Sequence, residues 1–371
     1  MAKLSAEIAI GLIGVLAFWC GILKLAEQSG IANWLARGLA PLFTHLMPDV
    51  PRGHPALGYV SMNMASNMLG LDNAATPMGI KAMQSLQLLN PVKETATNPQ
   101  ILFLVLNTSS VTIFPITIIM YRLQQGALHP GEVFLPILLA TLGSTLAGLI
   151  SVALIQKINL FHRTVMAYLL GIGGLVGALV LWMLSIPDEQ MAIASSTLGN
   201  GLLFTTIFTI LSIAFYKKIA IYEQFVAGAK EGFELAVKII PYLVAMLVAI
   251  GVMRASGVLN QIVSLIEWVI SWLGFDVAFV AALPTAMIKP FSGSGARAMM
   301  VETMTTHGVD SFAAKVAAVM QGSTETTFYV LTVYFGAVGV SRVRHAIGCG
   351  LIADLTGVVA AIVVSYWFFN F

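Results

Sequence analysis

Residues 63–81 read N-M-A-S-N-M-L-G-L-D-N-A-A-T-P-M-G-I-K. The stretch lies among apolar segments, yet it carries Asn63, Ser66, Asn67, Asp72, Asn73, Thr76 and Lys81. It also carries the helix breakers Gly70, Pro77 and Gly79. In lipid every backbone N–H and C=O must find a partner, so irregular backbone survives only inside protein or beside water. A broken, polar segment at membrane depth is therefore read as the wall of a site. Residues 284–297, P-T-A-M-I-K-P-F-S-G-S-G-A-R, have the same character. The chain is expected to bring two such half-sites together.

Composition fixes the solvent. The chain has 371 residues, 58% hydrophobic and 10% charged, and its mean hydropathy is +0.89. Soluble domains carry about 25% charged residues, so an all-α polytopic membrane protein is expected, surrounded by lipid. The net charge of +2 gives no electrostatic footprint for nucleic acid. Cys20 and Cys349 lie far apart inside apolar runs and form neither a disulfide framework nor a metal-ligand spacing. The six histidines fall at loops or segment ends, without H-E-x-x-H spacing. The eighteen methionines scatter as core filler. No nucleophile–base pair is apparent, so an enzyme is not expected.

Outward from 63–81, residues 8–25 form a first apolar span, read as retained rather than as a signal peptide. It stops at Ser29-Gly30, and residues 31–47 follow with apolar side chains at helical spacing. Residues 56–70 and 72–89 are each shorter than the roughly 20 residues a helical span needs. They are read as two arms of a broken or re-entrant element. A span at 100–121 carries N-T-S-S-V-T at its centre, and 132–156 is an ordinary span with small residues. Spans 164–184 and 190–215 follow. Basic segments 157–163 and 216–238 are expected in the cytoplasm, and 185–189 outside. Segment 216–238 reads as an interfacial helix.

The second half repeats the plan. A span at 239–253 ends in R-A-S-G, and an apolar-faced helix follows at 258–273. A broken element at 275–290 and 294–306 comes next. Then comes a span with the polar centre Q-G-S-T-E-T-T at 321–327, and a closing span at 345–370. Two units, 1–160 and 161–371, are expected, the second with two additional leading helices. Interrupted hydrophobic segments at corresponding places in two repeats point to a transporter binding site. Parallel and inverted repeats are both open; first spans that start on the same side would favour parallel.

The residues also carry a family resemblance. A-E-Q-S-G at 26–30, H-P-A-L-G-Y at 54–59, G-L-D-N-A-A-T-P-M-G-I-K-A-M at 70–83 and N-T-S at 107–109 resemble spore maturation protein A. Y-E-Q-F-V-A-G-A-K-E-G at 222–232, I-I-P-Y-L-V-A-M-L-V-A-I at 239–250 and M-Q-G-S-T-E-T-T-F-Y-V-L-T-V-Y-F-G-A-V-G at 320–339 resemble spore maturation protein B. The chain thus looks like a fusion of the two. Both are similar to the nucleoside-recognition Gate domains of concentrative nucleoside transporters and of the ferrous-iron transporter B. The resemblance implies a bacterial inner-membrane protein of transporter-like build. Such family membership does not name a solute. A-type proteins usually have a further helix and an amphipathic segment ahead of the first span seen here.

Candidate site residues follow from the two broken elements and the two polar centres. Asp72 is ionisable within a membrane segment, which marks function, but it could equally cap the helix that begins near Asn73. Asn67, Asn73, Thr76, Asn107 and Ser109 offer neutral hydrogen bonds to a solute, or equally to neighbouring helices. Lys81 reads as snorkelling. Lys289, followed by the loop with Ser292 and Ser294, could hold an anion beside free backbone N–H groups. Gln321 matches Asn107 in the other half. Ser323, Thr324 and Glu325 complete the set, Glu325 taking a cation or proton, or pairing with Lys289 or Arg297. Asp354 is a weaker candidate. The reading is a permease for a small polar organic solute (nucleoside-, amino-acid- or peptide-like), without a bound cofactor, and with sodium or a proton as the open coupling choices. The alternative is a non-transporting scaffold for envelope or spore-type maturation. Small-residue faces on 132–156 and 164–184 would suit a homodimer. An iron channel lacks the ligands that borderline metals prefer.

Overall fold

The computed structural model describes residues 2–69, 72–109 and 112–369. Among them the fold is helical throughout. The first half holds α1 (Ala2–Ser29), α2 (Ile31–Leu46), α3 (Pro55–Met68), α4 (Asp72–Leu88), α5 (Asn98–Ser109), α6 (Ile116–Gln124) and α7 (Phe134–Gln156). Two peripheral helices follow, α8 (Arg163–Leu184) and α9 (Asp188–Tyr216). The second half holds α10 (Ile221–Ala255), α11 (Val258–Trp272), α12 (Leu283–Ile288), α13 (Gly293–His307), α14 (Phe312–Ser323), α15 (Thr327–Gly336) and α16 (Ala346–Phe368). Helices covering 130–156, α8, 193–216 and α16 are long and apolar enough to cross a membrane.

The repeat is visible in its joints. α1 and α2 bend by 62° and α10 and α11 by 73°. Each bend falls on a Ser-Gly pair whose glycine is left-handed, Gly30 at φ 74° and Gly257 at φ 77°. Only glycine takes that backbone at no steric cost.

The two halves run in opposite directions. On α7, Gly143 faces Ala360 and Gly148 faces Ala353, at 3.4 and 3.3 Å from an added Cβ. The register falls along α16 as it rises along α7, so these equivalent helices are antiparallel. α1 and α10 repeat the pattern: Gly232 approaches Leu16 and Gly228 approaches Cys20 and Lys24. Equivalent helices that cross antiparallel are related by a two-fold axis perpendicular to them. The repeats are therefore inverted, with the axis in the membrane plane. The parallel arrangement favoured by similar first spans does not hold. Small residues make both contacts possible, because without a Cβ the backbones can close together.

Three sequence expectations change. The span expected at 100–121 is not continuous; it breaks after Ser109 and resumes at Ile116, with Pro115 as the N-cap of α6. The span around 321–327 likewise breaks between Ser323 and Thr327, where Thr324 and Thr326 are extended. β-branched residues give up χ1 freedom in a helix and favour extended backbone. The interfacial helix expected at 216–238 and the span at 239–253 are one helix, α10, of 35 residues or about 50 Å. One face of its polar N-terminal part packs on α1 through Gly228 and Gly232. The loops of the two halves are tied as well: Ser341 and Arg342 donate backbone N–H groups to Glu94 O, and Ala96 N to Arg342 O.

Candidate functional site

The four breaks meet. Ile113 N donates to Met68 O at 3.2 Å, joining the α5–α6 break to the end of α3. Phe328 N donates to Pro290 O at 2.9 Å, joining α15 to the α12–α13 break. Glu325 N donates to Thr108 O at 2.7 Å, joining one half to the other. Backbone groups released by each broken helix are thus satisfied by another break, the condition for irregular chain at membrane depth.

The breaks enclose a cavity of about 720 Å³, within the range of small-molecule sites. Asn67, Thr76, Asn107, Lys289, Ser292, Ser294, Gln321, Thr324 and Glu325 all line it. Ser109 and Ser323 do not. Their hydroxyls donate to Leu106 O at 3.2 Å and Met320 O at 2.9 Å, within their own helices. The side chains of Asp72 and Asn73 lie outside the described residues. Lys81 is exposed and is not part of the wall.

One wall is an amide network. Asn63, fully buried, donates Nδ2 to Ala75 O at 2.8 Å and to Tyr334 Oη at 3.3 Å. Asn67 donates Nδ2 to Asn107 Oδ1 at 2.9 Å and to Asn63 Oδ1 at 3.4 Å. Asn107 in turn donates to Phe103 O at 2.8 Å. The network ties α3, α4 and α5 to α15 of the other half.

The charged groups divide into three sets. Lys24 on α1 pairs with Glu27 at 3.3 Å and with Glu231 on α10 at 3.1 Å, and all three line the cavity. Lys289 is 5% exposed and close enough to Asp354 to act on it electrostatically. Asp354 Oδ2 accepts from Thr327 Oγ1 at 2.5 Å. Asp354 thus lies within electrostatic reach of both Lys289 and Glu325, and its Oδ1 is buried without a hydrogen-bond partner. Glu325 and Arg297 form the third set. Glu325 is exposed to the cavity, and neither Lys289 nor Arg297 forms the expected ion pair with it within 4 Å among the described residues. Arg297 donates Nε to Gly293 O at 3.2 Å. Gln321 is 6% exposed, and its Oε1 is buried without a hydrogen-bond partner.

Sequence reasoning missed Lys24, Glu27, Glu231, Tyr334 and the cavity position of Arg297. Lys24 and Glu27 read as the polar end of a span, and Glu231 as part of a surface segment. Their signal was present: charges on apolar helices tend to face a bundle interior and each other.

Similarity to known proteins follows the same two-part plan. The family model Gate, described as nucleoside recognition, matches residues 9–125 and 236–341. The chain is 51% identical over 148 residues to spore maturation protein B of Bacillus subtilis (strain 168), a match covering 40% of this chain and 82% of that protein. It is 42% identical over 149 residues to spore maturation protein A of the same organism, covering 40% of this chain and 76% of that protein. No solved structure matches the chain.

Proposed function

The chain belongs to the Gate (nucleoside recognition) family, as a multi-pass membrane protein of transporter-like kind, and from that premise we propose that it is a permease for a small polar organic solute. The solute occupies the central cavity between the two inverted halves. The observation that carries this reading is the meeting of four helix breaks around a cavity of about 720 Å³ lined by amides and by the Glu325 and Arg297 charges. Broken helices at the interface of inverted repeats are where transporters place their sites. Alternating access comes from one half rocking against the other. Lys24 on α1, paired across the α1–α10 seam with Glu231, lies along the cavity. The protein sits in a bacterial inner membrane, with 157–163 and the basic start of 216–238 on the cytoplasmic side. Nothing in this reading calls for catalysis.

A second reading has support in the amide network, because Asn63, Asn67 and Asn107 are bonded to one another. Such a network would also suit a scaffold for maturation of the kind that the relatives' names describe. Cys20 separates the two readings. It lines the cavity, whereas Cys349 is buried away from it. In a Cys349→Ser background, an impermeant thiol reagent is applied to right-side-out and inverted vesicles. A permease exposes Cys20 from both sides. Labelling from one side only, or from neither, contradicts alternating access.

A further inference from the structure

From the charges left open in the cavity, we infer that the solute is a zwitterion of short-peptide size, with its ammonium on Glu325 and its carboxylate on Arg297. The inference rests on the permease reading and narrows it.

The cavity's charges are not equivalent. Lys24 is shared by Glu27 and Glu231, so both of these carboxylates already have a cation although the set keeps one net negative charge. Lys289 is 5% exposed and lies within electrostatic reach of the Asp354 carboxylate, as does Glu325, so the lysine that the sequence offered for an anion is a buried group with a carboxylate nearby. Glu325 and Arg297 remain. The Glu325 carboxylate makes no hydrogen bond or ion pair with any described residue. The terminal nitrogens of Arg297 meet no carboxylate among the described residues. Both line the same cavity.

Their placement is reciprocal. Glu325 sits in the three-residue break between α14 and α15. Arg297 lies in the second turn of α13, folded back toward Gly293 O. The two elements touch where a Cβ on Gly293 would come 2.7 Å from Thr326 Oγ1. Opposite charges thus flank one contact without meeting. Each open charge can take a charge-assisted bond from a ligand in the cavity. A guanidinium fork suits a carboxylate in two-point contact. The N-terminus of α13 adds to that end, with Ser292 Oγ as its cap to Gly295 N at 3.0 Å and a dipole that favours an anion.

The wall of the same cavity also carries the amides of Asn67, Asn107 and Gln321. Gln321 Oε1 is a buried acceptor without a partner, and a buried acceptor left unbonded is costly. Turned toward the cavity that Gln321 lines, that oxygen would accept from a peptide N–H. Asn67 and Asn107 complete a surface suited to amide groups. A single amino acid would leave much of the volume empty, whereas a neutral nucleoside would leave both charges unmet.

The test uses the full chain in nanodiscs and measures ligand affinity by calorimetry. The probes are alanyl-alanine, trialanine, their N-acetyl and C-amide forms, alanine, uridine and sodium chloride. Free peptides are expected to bind at least tenfold more tightly than either blocked form. Glu325→Gln should weaken free-peptide binding at least tenfold while leaving the N-acetyl form within threefold. Arg297→Gln should do the same with the C-amide form unchanged. That matched pattern is not the signature of a folding defect, and the unliganded melting temperature of each variant checks it. If uridine binds and neither variant changes its affinity, the zwitterion inference is overturned while the cavity reading stands. If sodium alone saturates the Glu325 effect and peptides add nothing, it is overturned likewise. If no probe of any class binds, the permease reading falls with it.

Discussion

Replacing Asn63 by alanine tests whether the amide network holds the two halves together. The side chain is fully buried. It donates to Ala75 O at 2.8 Å and Tyr334 Oη at 3.3 Å, and accepts from Asn67 Nδ2 at 3.4 Å. Side-chain hydrogen bonds in membrane proteins average about 0.6 kcal/mol each, with a maximum near 1.7. The short bond to Ala75 O belongs near the upper end and the two longer ones near the mean. Their sum is about 2–3 kcal/mol. Unfolding is followed in mixed dodecyl maltoside and SDS micelles, for Asn63→Ala, Tyr334→Phe and the double variant. A loss of about 2–3 kcal/mol is expected for Asn63→Ala, with a coupling to Tyr334 of about 0.5 kcal/mol. A loss below about 0.5 kcal/mol, or full additivity of the two changes, would refute the reasoning. The network would then be wet and mobile rather than a tie between α3, α4 and α15.

Other outcomes follow from the same geometry. Gly232→Leu forces α1 and α10 apart, because even a Cβ would lie 2.5 Å from Leu16 O; a loss of at least about 2 kcal/mol is expected, whereas Gly177→Ala, with nothing within 4 Å, should stay within about 0.5 kcal/mol. Arg122 is fully buried and pairs with Glu132 at 2.5 Å. Arg122→Met leaves that buried carboxylate with Lys315 at 3.0 Å alone, so a loss of about 3 kcal/mol is expected, partly recovered by adding Glu132→Gln. Burial, and the Arg344 guanidinium nearby, push the His345 imidazole below its ordinary value of 6.5. Its folded form therefore binds the proton less readily than its unfolded form. Stability from this group is full above about pH 6.5 and falls as pH drops through the depressed value. Its Nε2 lies 3.0 Å from Gln156 Nε2, so it accepts that bond only while neutral. His345→Gln should flatten the acid limb of a melting-temperature profile; an unchanged slope between pH 5 and 7 would count against it.

The helical content, the end of α3 at Met68, the break at 289–292 and the duplicated plan were all legible in the sequence. Each depends on local chemistry. Apolar runs report lipid, glycine and proline report broken helix, and Asn or Thr beside them reports a wall that is not lipid. Where the reading fell short, local chemistry was ambiguous. Ser109 and Ser323 looked like ligands because a serine bonded to its own helix and one facing a solute have the same sequence. The polar N-terminal part of α10 looked interfacial because an amphipathic face does not say whether membrane or another helix covers it. The breaks at 112–115 and 324–326 read as polar centres of whole spans, since threonine tolerates either backbone.

Sequence alone thus determined the solvent, the elements and the pool of polar residues from which a site could be built. Tertiary structure alone decided the direction of the repeats. A hydrophobic pattern is the same read up or down a membrane, and only the antiparallel register of Gly143 with Ala360 and Gly148 with Ala353 fixes the inversion. Packing also sorted the charges. It set Lys289 beside Asp354, closed Lys24 onto Glu27 and Glu231, and left Glu325 and Arg297 facing the cavity. A charge's role depends on which opposite charge lies within a few ångströms, and residues far apart in the chain supply that neighbour.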